Sequence, residues 1–241
     1  MAGHGSRFSR AGIQIPKPLI PVFGRPMIEW VVKNLTPMRL HRFIFICQST
    51  HISQFKLDEF LMSISPDSKV LETDVVTEGA ACTALLATRY IGNSDPLMIA
   101  NCDQFIEQDI DQYLNRIDQL DADGMIMTMR ATDPKWSFVR VGDDELVKEV
   151  AEKKVISNEA TVGIYNFKHG YEFVNSSSFM IEQNKRVNNE FYVAPTFNEM
   201  IQSGKQIFRF NIGPVDKKMH GLGTPEDLEL FTMNLDNKLL F

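Results

Sequence analysis

Short apolar runs rich in β-branched and aromatic residues alternate, in the first part of the chain, with segments whose apolar positions recur at helical spacing. The stretches "RFIFICQ" (42–48), "SKVLETD" (68–74) and "PLMIANCD" (96–103) read as strands. Between them, "SQFKLDEFLMSI" (53–64) and "EGAACTALLATRYI" (78–91) read as helices. A helix in each crossover predicts an α/β fold with a mostly parallel central sheet covered by helices on both faces. In such sheets ligands bind at the carboxyl ends of the strands. The rhythm then changes: "GMIMTMRA" (124–131), "SFVRVG" (137–142), "LVKEVAEKK" (146–154) and "EATVGIYNF" (159–167) follow closely, separated by turn residues. They predict antiparallel strands added to the parallel core. Helices are expected at about 170–183 and 191–203, then a strand at 205–212. The last helix is opened by "GTPEDLELF" (223–231), with Thr224 as N-cap, Pro225 at the first position and acids in the first turn.

Composition narrows the partners. With 241 residues, 44% of them apolar and 10% aromatic, the chain can bury a full core within one large domain, and no repeat or linker divides it. A net charge of −6 argues against a general polyanion binder, so no nucleic acid partner is expected. Cys47, Cys82 and Cys102 are odd in number, sit in apolar runs and lack metal-site spacing, which predicts buried core thiols in a reducing compartment. No apolar run approaches the roughly 20 residues of a membrane span, and the start lacks a signal-peptide pattern. A cytoplasmic protein with no membrane partner is expected.

Candidate chemistry begins at "MAGHGSRF", where glycines allow backbone N–H groups to converge on an anion and Arg7 supplies a charged donor fork. Gly3-His4-Gly5 alone is equally consistent with a plain turn. A dinucleotide fingerprint would need glycine where Phe8 stands, and a P-loop would need Gly-Lys-Ser/Thr. About ten residues on, Pro16-Lys17-Pro18 holds a lysine between two residues of locked φ, so little entropy is lost when it meets an anion. Two cations beside one backbone nest suit a triphosphate.

These residues resemble the signature of the sugar-phosphate nucleotidyltransferases, or nucleotide-sugar pyrophosphorylases, of the capsule and surface-polysaccharide type. The matching positions are Gly3, Gly5, Ser6 and Arg7, then Pro16-Lys17-Pro18-Leu19, Pro21-Val22 and Gly24-Arg25-Pro26-Met27-Ile28. The resemblance continues through "TEGAACTALLA" (77–87), "IANCDQF" (99–105), "EVAEKK" (149–154), "TVGIYNF" (161–167), "NNEFYV" (188–193) and "GLGTPEDL" (221–228). It implies the Rossmann-like nucleotide-diphospho-sugar transferase fold. One nucleotidyltransferase domain would span 1–241, with a nucleotide-binding part at about 1–120 and a sugar-phosphate-binding part at about 121–241.

The resemblance also implies an Mg²⁺-dependent reaction of a nucleoside triphosphate with a sugar 1-phosphate, giving a nucleotide sugar and pyrophosphate. Arg7 would hold the leaving pyrophosphate, Lys17 would stabilise the α-phosphate, and Asp103 would ligate Mg²⁺; by position alone Asp103 either caps a turn or binds a metal. Ala2, Gly3, Gly5, Ser6, Arg7, Thr77 and Gly79 would bind nucleotide. Glu152, Lys153, Gly163 and Glu190 would bind the sugar phosphate. The bland alternatives are a solvated edge for Glu152 and Lys153, a bulge for Gly163 and a first-turn helix acid for Glu190. Gly221 stands where many relatives carry a metal-binding aspartate in Asp-X-Gly-Thr, and only Asp216, Glu226 and Asp227 lie near it in sequence. Family members often pair, so a homo-oligomer is among the expected partners. Relatives also place an apolar strand directly before the glycine loop. Met1 is accordingly expected to be an internal methionine of a longer chain, with that first core strand upstream of residue 1. Two readings rank behind transfer: a nucleotide-binding relative with little catalysis, motivated by Gly221, and a nucleotide-sugar-dependent glycosyltransferase, whose Asp-X-Asp resembles Asn101-Cys102-Asp103.

Overall fold

In the computed structural model the β-branched runs form strands and the periodic segments form helices; the structure describes residues 1, 8, 10–215 and 217–234. A two-residue turn at Phe23 and Gly24, both at positive φ, joins β1 (Pro21–Val22) to β2 (Arg25–Pro26), as a tight antiparallel pair requires. Helix α1 (Met27–Leu35) follows, then β3 (Ile44–Gln48), α2 (Ser49–Phe55), α3 (Leu57–Ile64), β4 (Lys69–Thr73), α4 (Ala80–Leu85), α5 (Thr88–Ile91) and β5 (Leu97–Ala100). Next come β6 (Gln104–Ile106), α6 (Ile110–Leu120), β7 (Gly124–Arg130), β8 (Ser137–Val141), β9 (Val147–Glu152) and β10 (Glu159–Phe167). The chain continues through α7 (Gly170–Glu182), α8 (Thr196–Gln202), β11 (Ile207–Pro214), β12 (Met219–Gly221) and α9 (Pro225–Asn234). Contacts group it into two units: Met1–Val76 with Cys102–Ile110 and Asp216–Phe241, and Thr77–Asn101 with Asp111–Val215.

In the first unit β3 and β4 pair in parallel, and the alternation along β3 buries Phe45 and Cys47. Helix α1 buries Met27, Ile28, Val31, Val32 and Leu35, a stripe one helix face wide, while Glu29 on the opposite face pairs with Arg25 and Lys33. Strand β6 pairs antiparallel with β12. Asn34 acts as a further strand on β6, its amide donating to the Ile106 carbonyl and its side-chain oxygen accepting from the Ile106 N–H, both at 2.8 Å. Phe23, Trp30, Phe105 and Phe231 pack edge-to-face and tilted beneath this region, with ring centroids 5.5–6.3 Å apart.

The second unit holds six strands in the order β11-β7-β10-β8-β9, with β5 also pairing with β10. Parallel pairing joins β11 to β7, and the other pairs are antiparallel. Strands β7 and β10 are almost wholly buried, as a central position demands, and α7 and α8 pack against the sheet. Strand β10 forks: its first half borders β8 and its second half borders β5, with a register shift between Thr161 and Tyr165. This is the mixed α/β fold, helices flanking a central sheet, that the pattern predicts.

The departures lie in pairing and in element bounds: β5 pairs antiparallel with β10, while among the described residues β3 and β4 pair only with each other. The segment read as one helix over 53–64 is two, α2 and α3, because Lys56 adopts a left-handed conformation at φ 50° between them. The segment 78–91 likewise divides into α4 and α5. Strand β5 ends at Ala100, short of Asp103, and α8 begins at Thr196 rather than near 191. Of the cysteines, Cys47 alone is buried, and burial pushes its thiol up to about 12; Cys82 and Cys102 are partly exposed. Among the described residues no helix is long and apolar enough to cross a membrane.

Candidate active site

Lys17 sits on a single 3-10 turn (Lys17–Leu19) that Pro16 opens, with Leu19 N–H donating to the Pro16 carbonyl at 2.8 Å and Pro18 buried beneath. From this stiff base its ammonium pairs with the Asp103 carboxylate, and both side chains remain partly exposed, at 21% and 28%. Asp103 lies just before β6, and its carbonyl accepts the Leu222 N–H at 2.7 Å, which ties it to the turn after β12. The ring centroid of buried Phe8 lies 6.0 Å from the ammonium nitrogen.

That turn is lined by glycine where side chains would not fit freely. A Cβ on Gly223 would stand 2.9 Å from Asp103 Oδ2, 3.5 Å from Lys17 Nζ and 3.6 Å from Asp227 Oδ2. A Cβ on Gly221 would stand 3.1–3.3 Å from the carboxylate atoms of Asp227. Three charged groups therefore ring one small space. Among the described residues no cluster of three or more His, Cys, Asp or Glu forms a closed metal site. Hard carboxylate oxygens in an open setting suit an ion that takes one or two of them and completes its shell with water and phosphate, as Mg²⁺ does. The loop residues Ala2, Gly3, Gly5, Ser6 and Arg7 lie outside the described residues.

In the second unit, Glu152 ends β9 directly opposite Ser137 of β8, whose hydroxyl donates to its carboxylate. Burial pushes this carboxyl above its ordinary range; the Ser137 hydrogen bond and the Lys153 charge oppose the rise, and the charge of Glu190 adds to it. The Tyr165 hydroxyl, also raised by burial, lies 3.0 Å from Thr161 Oγ1 and close to Ser137 and Glu152. Lys153 turns out of the strand at φ 52°, and its ammonium donates to the Tyr192 hydroxyl at 2.5 Å while lying 4.7 Å from that ring's centroid. Burial raises Tyr192 as well, helped by its hydrogen bond to Glu190.

Glu190 closes a two-residue turn in which Asn188 and Asn189 both have positive φ, and it exchanges hydrogen bonds with Val187 at 2.9 and 3.0 Å. Its place is thus a turn, not the first turn of a helix. Glu152, Lys153 and Glu190 are brought together through Tyr192. Gly163, at φ 86°, occupies the fork of β10, where its carbonyl accepts from the Asn101 N–H at 3.0 Å.

Thr77 and Gly79 build the corner before α4. The Thr77 hydroxyl bonds the Gly79 carbonyl at 3.0 Å and Thr83 Oγ1 at 2.5 Å. Gly79 has φ 130°, and a Cβ there would fall 2.6 Å from the Phe191 backbone nitrogen, so only glycine fits. The Phe191 N–H donates to the Glu78 carbonyl at 2.8 Å, and the Ala81 N–H to the Phe191 carbonyl at 3.0 Å, placing this corner beside the Glu190 turn. Glu78 pairs with Arg186 at 2.6 Å, whose guanidinium lies 4.3 Å from the Phe191 ring centroid.

A family model described as nucleotidyl transferase matches residues 1–216. The chain belongs to the nucleotidyl transferase family. The nucleoside-diphosphate-sugar pyrophosphorylase of Vibrio cholerae RC9 shares its fold at a TM-score of 0.82 and 23% identity, over 97% of this chain and 98% of that one. The inositol-1-phosphate CTP transferase of T. maritima does so at 0.75 and 15%, over 98% and 94%. A UTP-bound UGPase of Acinetobacter baumannii gives 0.72 and 17%, over 96% and 89%. In sequence, 174 residues (70% of the chain) are 25% identical to the bifunctional protein GlmU of Methanococcus aeolicus, of which they cover only 39%.

Three residues of these clusters in this nucleotidyl transferase, Tyr192, Ser137 and Tyr165, were not singled out by sequence. Tyr192 sits two residues after Glu190 inside a motif already quoted, so adjacency was its signal. Ser137 meets Glu152, and Tyr165 lies by Ser137, only through strand register, which no local pattern reveals. Asp227 is one of the acids near Gly221 in sequence, and the space beside Gly221 is what singles it out.

Proposed function

We propose that this nucleotidyl transferase joins a nucleoside triphosphate to a sugar 1-phosphate, or to a related phosphorylated metabolite such as a polyol phosphate. A phosphate oxygen of the acceptor attacks the α-phosphorus in line. The bond from that phosphorus to the bridging oxygen of the β-phosphate breaks, and pyrophosphate leaves with the electron pair. No protein nucleophile is needed, so positioning and neutralisation of charge carry the reaction.

The observation that supports this most is the Lys17–Asp103 pair. Both partners are partly buried yet keep 21% and 28% of their side chains exposed, so phosphate and a divalent ion can reach them. Lys17 then stabilises the charge that builds on the α-phosphate, while Arg7 in the glycine-rich loop holds the pyrophosphate. Mg²⁺, held by Asp103 with phosphate oxygens and water, supplies neutralisation of the triphosphate when bound.

Thr77 and Gly79, with Ala2, Gly3, Gly5 and Ser6, are assigned to the nucleotide. Lys153 is assigned to the acceptor phosphate, Glu152 and Glu190 to acceptor hydroxyls, and Gly163 to close backbone approach. The carboxylates accept hydrogen bonds from hydroxyl donors, which suits a polyhydroxylated acceptor. The V. cholerae pyrophosphorylase and the T. maritima inositol-1-phosphate transferase frame the acceptor range, and a nucleotide sugar for surface polysaccharide is the product we favour. A coupled pyrophosphate assay over UTP, CTP and dTTP against a panel of sugar and polyol phosphates with Mg²⁺ tests this. Release that needs both substrates is expected; none from any pair, by folded protein, would overturn it.

A further inference from the structure

We infer that Asp227 supplies the second carboxylate for the divalent cation, filling from helix α9 the space that Gly221 leaves open. The role presupposes the nucleotidyl transfer proposed above.

Gly221 offers no side chain, yet the volume beside it is not empty. The Asp227 carboxylate lies there, 3.1–3.3 Å from where a Cβ on residue 221 would stand. It also converges with Asp103: both Oδ2 atoms lie within 3.6 Å of the point a Gly223 Cβ would occupy, and Lys17 Nζ lies 3.5 Å from it. Two carboxylates and one ammonium leave a net negative charge in a small, partly exposed space. A hard cation bridging the carboxylates would remove that repulsion.

The chain holds Asp227 in place for this. Thr224 caps α9, its hydroxyl accepting the Asp227 N–H at 3.1 Å, and Pro225 fixes the first helical residue. An acid three residues after the cap ordinarily folds back onto the cap's own N–H. Among the described residues no such bond forms, and the carboxylate instead faces Gly221 and Gly223. Gly221 is not at positive φ, so an aspartate there is conformationally allowed and only the Asp227 carboxylate opposes it.

The test is Mn²⁺ binding to the whole chain, read from the free-ion electron paramagnetic resonance signal, for wild type, Asp103→Asn, Asp227→Asn, Gly221→Asp and Gly221→Asp with Asp227→Asn. Circular dichroism melts confirm that each variant folds. Asp227→Asn should weaken Mn²⁺ binding at least about tenfold, a loss of the size that even outer partners of a metal site cause. Gly221→Asp in the same chain should restore it, whereas Gly221→Asp alone should bring no gain. A helix-capping role for Asp227 would leave Mn²⁺ affinity untouched. If Asp103→Asn abolishes binding while Asp227→Asn keeps wild-type affinity, the role of Asp227 is overturned and the transfer reaction stands. If neither variant changes binding, or wild type binds no Mn²⁺, the cation site on Asp103 fails with it.

Discussion

The two polar clusters solve opposite problems. Around Lys17 and Asp103 the charges are partly exposed, opposite in sign and set on stiff supports, a proline-framed turn and the start of a strand bracketed by Asn34 and β12. Around Glu152, Ser137 and Tyr165 are buried, Tyr192 is half-buried and Lys153 and Glu190 are exposed; hydroxyls interlock them, and burial raises the pKa of Glu152, Tyr165 and Tyr192. The first arrangement can exchange partners without rebuilding the protein, which suits phosphates and a metal ion that arrive and leave. The second interlocks hydroxyls and a carboxyl beside an exposed lysine, which suits a hydroxyl-rich ligand that carries a phosphate.

Substitutions can break this contrast. The largest effect is expected from Lys17→Met, which should lower kcat about 10²–10³-fold, the loss seen when a charge-stabilising donor is removed. Its melting temperature should change far less than its kcat, because the Asp103 carboxylate left behind stays partly open to water. Steady-state pyrophosphate release and a thermal melt measure both; a collapse of stability with unchanged kcat would make the pair structural. A smaller effect is expected from Tyr192→Phe, which removes the hydroxyl linking Lys153 and Glu190. Losing a hydrogen bond of about 1 kcal/mol should raise the acceptor KM roughly fivefold and leave the nucleotide KM unchanged.

The subtlest effect is one of pH. Burial raises the Glu152 carboxyl above 4.5, so the folded state holds that proton more tightly than the unfolded chain does. The stability this provides is complete below the unfolded value and is lost as pH rises through the folded value. Glu152→Gln lacks that loss, so its melting temperature relative to wild type should climb between pH 4 and 8, by about 2–4 °C per kcal/mol for a chain of this size. Matching pH profiles for the two proteins would show that burial does not raise the Glu152 carboxyl.

How much was legible in sequence follows the same division. Lys17 and its prolines are local in the chain, and the turn they form is fixed by φ alone, so the motif announced the geometry. Strand β10 coincides with "EATVGIYNF", because a long β-branched run buried on both faces has no other local preference. The break at Lys56 carries no glycine to mark it, and helix α6, rich in Asp, Gln and Asn, hides its apolar face among polar residues. The Ser137–Glu152 contact depends on hairpin register, and the approach of Asp227 to Gly221 on how α9 is placed against the turn after β12. Neither is a property of any short window of residues.

The central claim is transfer of a nucleotidyl group, and following the α-phosphate tests it most directly. With a nucleoside triphosphate labelled at that phosphate, Mg²⁺ and a sugar 1-phosphate, the label should appear in a nucleotide sugar, with one pyrophosphate released for each molecule formed. Label that stays in the triphosphate, or a sugar that moves from a nucleotide sugar to another acceptor, would contradict it.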